Sequence, residues 1–126
     1  MKTNQQSCVG QFVLRDNSTV ATCRNGLQKG IMLNDKYYLD TASLIKCPLS
    51  LQDAKQYSKQ VKIPLPTKRQ LQMLADNLEI VIEKLRFLGY GDYFFLGNLL
   101  QECWSRRSLK QNFTGERRRV FFIAPI

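Results

Sequence analysis

Lys62-Ile63-Pro64-Leu65-Pro66-Thr67-Lys68-Arg69-Gln70-Leu71 is the stretch on which the fold turns. Pro66 disfavours helix at Leu65, and Thr67 is placed to cap the free amides of a first helical turn. Gln70, three residues on, can return a hydrogen bond to the backbone of Thr67. Beyond Lys68, the residues Leu71, Leu74, Ala75, Leu78, Ile82 and Leu85 form one apolar stripe. Lys68, Gln72, Asp76, Glu79, Glu83 and Arg86 lie largely elsewhere. The spacing predicts one long helix that stops at Gly89 in a left-handed conformation. Upstream, Ser50-Leu51-Gln52-Asp53 resembles a capping box and opens a short helix carrying Ala54 and Tyr57.

On the N-terminal side, short β-prone runs alternate with turn signals. Gln11-Phe12-Val13-Leu14 precedes Asp16-Asn17-Ser18, and Thr19-Val20-Ala21-Thr22-Cys23 precedes Asn25-Gly26. Ile31-Met32-Leu33 and Tyr37-Tyr38-Leu39 flank Asn34-Asp35-Lys36 as a hairpin would. These predict a small β-meander. On the C-terminal side, Tyr93-Phe94-Phe95-Leu96 and Glu102-Cys103-Trp104-Ser105 predict strands. A polar hairpin or loop from Arg106 to Glu116 leads to a final buried strand over Arg118-Arg119-Val120-Phe121-Phe122-Ile123. The plan is a single α+β domain over residues 1–126: an N-terminal meander, two helices and C-terminal antiparallel strands.

With 126 residues, 44% of them hydrophobic, the chain supports one core. No run approaches the roughly 20 apolar residues of a membrane span. The polar start Met1-Lys2-Thr3-Asn4-Gln5-Gln6-Ser7 has no apolar signal region, which points to a cytoplasmic or virion-associated protein. In that setting Cys8, Cys23, Cys47 and Cys103 read as buried free thiols rather than as two disulfides. Histidine is absent, which excludes Ser-His-Asp and Cys-His catalysis. Asp35, Asp40 and Asp53 match no calcium loop, and turn and cap duties account for them. Glu79 and Glu83 read as a solvated helix face. No catalytic residue, metal or cofactor is expected.

The net charge of +9 favours partners with phosphates, anionic surfaces or acidic proteins. Between Trp104 and Glu116–Arg119 the cations Arg106, Arg107, Lys110, Arg117, Arg118 and Arg119 face only Glu116, with Trp104 and Phe113 interleaved. Arginines beside aromatics suit phosphate contact and base stacking. The same charge is also what a solvated polar hairpin between buried strands would carry, and an acidic protein partner fits it too. If Phe94 points inward along its strand, Tyr93 and Phe95 point outward as an exposed aromatic pair. Exposed edge strands leave self-association open.

The order of these pieces resembles a bacterial domain family built on the C-type-lectin-like fold. That family is similar to the formylglycine-generating sulfatase-modifying factors and to the variable proteins of phage and bacterial diversity-generating elements. The matching residues are Ala54 and Tyr57, Leu65-Pro66-Thr67 with Leu71 and Leu74, Ile82 through Gly89, Trp104-Ser105, and Arg119-Val120-Phe121-Phe122. Val9-Gly10-Gln11-Phe12 with Asp16-Asn17-Ser18-Thr19 resembles the opening hairpin of such domains. The chain departs from the family at Trp104-Ser105-Arg106-Arg107, where a second serine and a polar residue are usual. The segment from there to the last strand is short, and Cys103 has no second cysteine beside it. The resemblance implies a truncated C-type-lectin-like scaffold and a non-enzymatic binding role, as an accessory protein of a phage or other mobile element. A nucleic-acid-binding accessory protein using Arg106–Arg119 is the alternative.

Overall fold

The computed structural model describes residues 9–46, 49–90, 105–106 and 117–126. Within them the protein is a mixed α+β structure with a five-stranded antiparallel sheet and three helices. The sheet contains β1 (Phe12–Leu14), β2 (Thr19–Val20), β3 (Gln28–Met32), β4 (Tyr37–Asp40) and β7 (Ile123–Pro125). A separate two-stranded sheet pairs β5 (Leu49–Ser50) with β6 (Arg117–Arg118). The helices are α1 (Leu51–Val61), α2 (Lys68–Asp76) and α3 (Leu78–Phe87), and a 3-10 turn spans Ala42–Lys46. No helix among the described residues is long and apolar enough to cross a membrane.

The predicted turns form where short polar side chains satisfy the backbone locally. The Asp16 carboxylate accepts from the Ser18 amide at 3.0 Å and from its hydroxyl at 2.6 Å, closing the β1–β2 hairpin with Asn17 at φ 71°. Those bonds, the hydroxyl's first, hold the Asp16 carboxyl below its usual range. Asn34 Oδ1 accepts from the Lys36 and Tyr37 amides at 2.7 and 2.8 Å and turns β3 into β4. The strand order is nevertheless β2-β1-β3-β4-β7 rather than that of a meander. β1 pairs with β2 on one edge and with β3 on the other, so the chain passes β1 between Val20 and Gln28, and Phe12 and Val13 are wholly buried.

Side-chain alternation sorts the core into two faces. Phe12, Ile31, Leu39, Phe121 and Ile123 pack with Leu71 and Leu74 of α2 and with Val81 and Leu85 of α3. Val13, Met32, Tyr38 and Ala124 point the other way and are covered by Ile63. Val120 and Phe122, also on that side, pack with Leu49, Leu51, Ala54, Tyr57 and Leu65. The stretch from Lys62 to Leu71 therefore carries the chain from one face of the sheet to the other. Full burial of one such Phe or Leu contributes about 1.5–3 kcal/mol.

Two expectations need correction. The helix after Thr67 is not continuous but breaks at Asn77, giving three helices instead of two. Asn77 Nδ2 donates to Met73 O at 2.9 Å and to Leu33 O at 3.4 Å, and its φ of −115° lies outside the helical range. The break rotates α3, so that Val81, Leu85 and Leu88 are buried while Leu78 and Ile82 are only half-buried. The final strand is also displaced. Arg117–Arg118 pair with Leu49–Ser50, Val120 and Phe121 cross between the sheets, and only Ile123–Pro125 pair with β4. The Asp40 amide, donating to Phe122 O at 2.8 Å, extends that ladder. By contrast, the helix stop at Gly89 forms as predicted, with φ 98°, Gly89 N–H to Arg86 O and Tyr90 N–H to Leu85 O, both 2.9 Å. The expected strands Tyr93–Leu96 and Glu102–Ser105 lie wholly or largely outside the described residues.

Candidate anion-binding groove

The short helix α1 begins at Ser50, whose Oγ accepts from the Asp53 amide at 3.1 Å. Its buried face is Leu51, Ala54 and Tyr57. Lys55 and Lys59, one turn apart on the flank of that face, are exposed. The helix ends where Lys62 takes a left-handed conformation at φ 61° and the amides of Lys62 and Ile63 both donate to Ser58 O. The Ser58 hydroxyl donates to Ile63 O at 2.6 Å, fixing the way out of the helix. Pro64-Leu65-Pro66 then runs back alongside α1, with Leu65 and Pro66 buried and Pro64 exposed.

Arg106 is brought to this corner by its backbone, which donates to Pro66 O at 3.0 Å. Lys55, Ser58, Lys59, Pro64, Leu65 and Arg106 together line an open groove of about 390 Å³. Its surface is mostly apolar, supplied by Pro64, Leu65 and the lysine stems, and among the described lining residues it carries three cations and no carboxylate. Like charges at i and i+4 cost an isolated helix about 0.2–0.5 kcal/mol, so Lys55 and Lys59 gain nothing from each other. They gain from an anion. With the Ser58 hydroxyl engaged at Ile63 O, the chemistry the described lining residues offer is electrostatic binding against an apolar surface.

Of the residues singled out in the sequence, Arg106 belongs to this groove. Arg117 and Arg118 do not line it: they pair with Ser50 and Leu49 beside the N-terminal end of α1, with Arg117 exposed and Arg118 and Arg119 half-buried. Arg106 and Arg117, expected to bracket one hairpin, are therefore held by different segments at different points along α1. Arg107, Lys110, Tyr93 and Phe95 lie outside the described residues, as does Trp104. Lys55 and Lys59 do not stand out in the sequence, where the cations are densest between Arg106 and Arg119. Their i, i+4 repeat beside a buried helix face was the available signal.

The buried polar residues form a second group. Gln28 Nε2 donates to Asn25 Oδ1 at 3.2 Å and to Thr41 Oγ1 at 3.1 Å, while Gln28 Oε1 accepts from the Gly26 amide at 2.9 Å. Asp40 Oδ2 accepts from the Ser43 amide at 3.1 Å and so caps the 3-10 turn, the cap duty expected of it. Burial raises the Asp40 carboxyl above its ordinary range, against the lowering influence of Ser43. Burial, with the Asp40 charge second, also raises the Tyr38 phenol. Cys23 is a free thiol, half-buried rather than fully buried, and burial pushes its pKa up, away from nucleophilic use. Among the described residues, no three of His, Cys, Asp or Glu gather as a metal site would require. Comparison with protein-family models, curated proteins and solved structures finds no match to this chain.

Proposed function

We propose that this is a non-enzymatic binding protein that takes a polyanion, nucleic acid foremost, along the basic flank of α1. The observation that carries the reading is that Lys55, Lys59 and Arg106, from two distant parts of the chain, border one groove with no carboxylate among the described residues that line it. The net charge of +9 draws the same class of partner by long-range attraction. Arg117, exposed beside Ser50, extends the basic surface to the other end of α1. The truncated C-type-lectin-like scaffold belongs to this proposal. It is supported by the order of strands, helices and strand, and by the antiparallel pairing of Ile123–Pro125 with Tyr37–Leu39. The accessory role in a phage or mobile element rests on the sequence resemblance.

The test is a salt titration of heparin and nucleic-acid binding, followed by fluorescence anisotropy. Three neutralised phosphates on a single strand give a slope of log K against log salt of about −2. In K55E/K59E/R106E the affinity should fall at least tenfold and the slope should flatten by about that amount. A variant that binds as tightly and with the same salt dependence as the parent removes the groove from the function.

A further inference from the structure

We infer that the polyanion held in this groove is an unpaired nucleic-acid strand rather than a duplex, an inference that rests on the reading of the groove as a polyanion site. Phosphate contacts alone need only a row of cations on a convex or flat surface. Here the cations, Lys55 and Lys59 from α1 and Arg106 from a distant segment, share one groove with the exposed ring of Pro64 and with Leu65. A duplex keeps its base faces inside the stack and has nothing to set against those apolar groups. An unpaired nucleotide presents a charged phosphate and an apolar base face together; single-strand binders join cations to side chains that meet the base face, a part that Pro64 and Leu65 would take here.

Dimensions agree with this. Lys55 and Lys59 are separated by about 6 Å along the helix axis, a step comparable to the phosphate repeat of an extended strand. A groove of about 390 Å³ is of the size of one nucleotide. The basic surface does not end at the groove. Exposed Lys62 follows at the end of α1 and exposed Arg117 pairs with Ser50 beside its start, so cations stand at both ends of the 11-residue helix. Cations beyond the groove suit a polymer with one charge per unit better than a short peptide with a few carboxylates.

The experiment measures anisotropy of fluorescein-labelled oligothymidylate of about 12 nucleotides. Unlabelled duplex of the same length, poly-glutamate and heparin serve as competitors, all at one salt concentration. The single strand should bind at least tenfold more tightly than the duplex or poly-glutamate. P64S, which removes an exposed apolar part of the groove without touching a charge, should weaken the strand severalfold more than it weakens heparin. K55Q/K59Q should weaken strand and heparin alike. Equal affinity for strand and duplex, preference for poly-glutamate, or a P64S protein that is folded by circular dichroism and binds the strand as before overturns the inference while the polyanion reading stands. Failure to bind heparin and every nucleic acid overturns that reading as well.

Discussion

The backbone amide of Arg106 donates to the carbonyl of Pro66 at 3.0 Å, joining the C-terminal third of the chain to the connection between α1 and α2. Pro66 is buried and has no amide of its own, and it stands immediately before the cap of α2. One hydrogen bond thus places Arg106 at a groove that α1 also lines.

Two substitutions at Arg106 should separate its backbone from its side chain. R106A keeps the amide, and its unfolding midpoint should stay within about 0.5 kcal/mol of the parent while polyanion affinity drops. R106P removes the donor, leaves the Pro66 carbonyl without it, and should cost about 1 kcal/mol in urea unfolding. Equal destabilisation by both would mean that the side chain, not the amide, anchors this corner.

The capping box at the start of α2 is complete. Thr67 Oγ1 accepts from the Gln70 amide at 3.1 Å, and Gln70 Oε1 accepts from the Thr67 amide at 3.0 Å. T67A should therefore lower stability by about 1 kcal/mol, and T67S should recover most of it. Thermal melts decide this. A T67A protein as stable as the parent would show that packing of Leu71 and Leu74 alone holds the helix start.

Gly30 lies opposite Asp40 in the sheet, and the ring of Tyr38 covers the place where a side chain would emerge. A Cβ there would overlap both that ring and the Leu39 carbonyl, and the Lys29 ammonium stands 5.1 Å from the ring centre on the same tyrosine. G30A should cost about 1–3 kcal/mol through overpacking. The cost should shrink in a Y38A background, where only the carbonyl remains in the way. Urea midpoints of the four proteins give the coupling, and an additive result would contradict the geometry.

Burial raises the folded-state pKa of Asp40 above its ordinary value of 3.8, so the folded protein holds this proton more tightly than the unfolded chain does. The resulting contribution to stability is complete below the unfolded value and is lost as pH rises through the folded one. D40N keeps an oxygen for the Ser43 amide and lacks the titration. The parent should therefore lose stability relative to D40N as pH rises from about 4 towards neutrality, then run parallel to it. Urea unfolding of both proteins across that window tests the sign: a constant difference would place the Asp40 pKa at its unfolded value.

Much of the local structure was legible because its determinants lie within a few residues. Thr67 and Gln70 cap a helix by themselves, Asp16 and Asn34 close their turns with their own side chains, and Gly89 ends α3 because a left-handed residue was needed there. The break at Asn77 was not legible. Leu71, Leu74, Leu78, Ile82 and Leu85 are spaced as one helix would have them, and one of the bonds that marks the break reaches Leu33, 44 residues away. Strand order was hidden for a similar reason, since β1 is placed inside the sheet by its pairing with both β2 and β3, and the partner β3 is separated from it by a whole strand and a turn.

The groove divides in the same way. Sequence alone determined that the chain is basic, that it lacks histidine, that Arg106 belongs to a cationic segment and that a short capped helix starts at Ser50. Only the tertiary structure decided that Arg106 shares a groove with Lys55, Lys59, Pro64 and Leu65, while Arg117 goes to the far end of the same helix. Caps, turns and helix stops are settled by bonds between near neighbours, which every copy of the local sequence can make. The meeting of distant cations follows from which apolar faces pack together, and that is a property of the whole core.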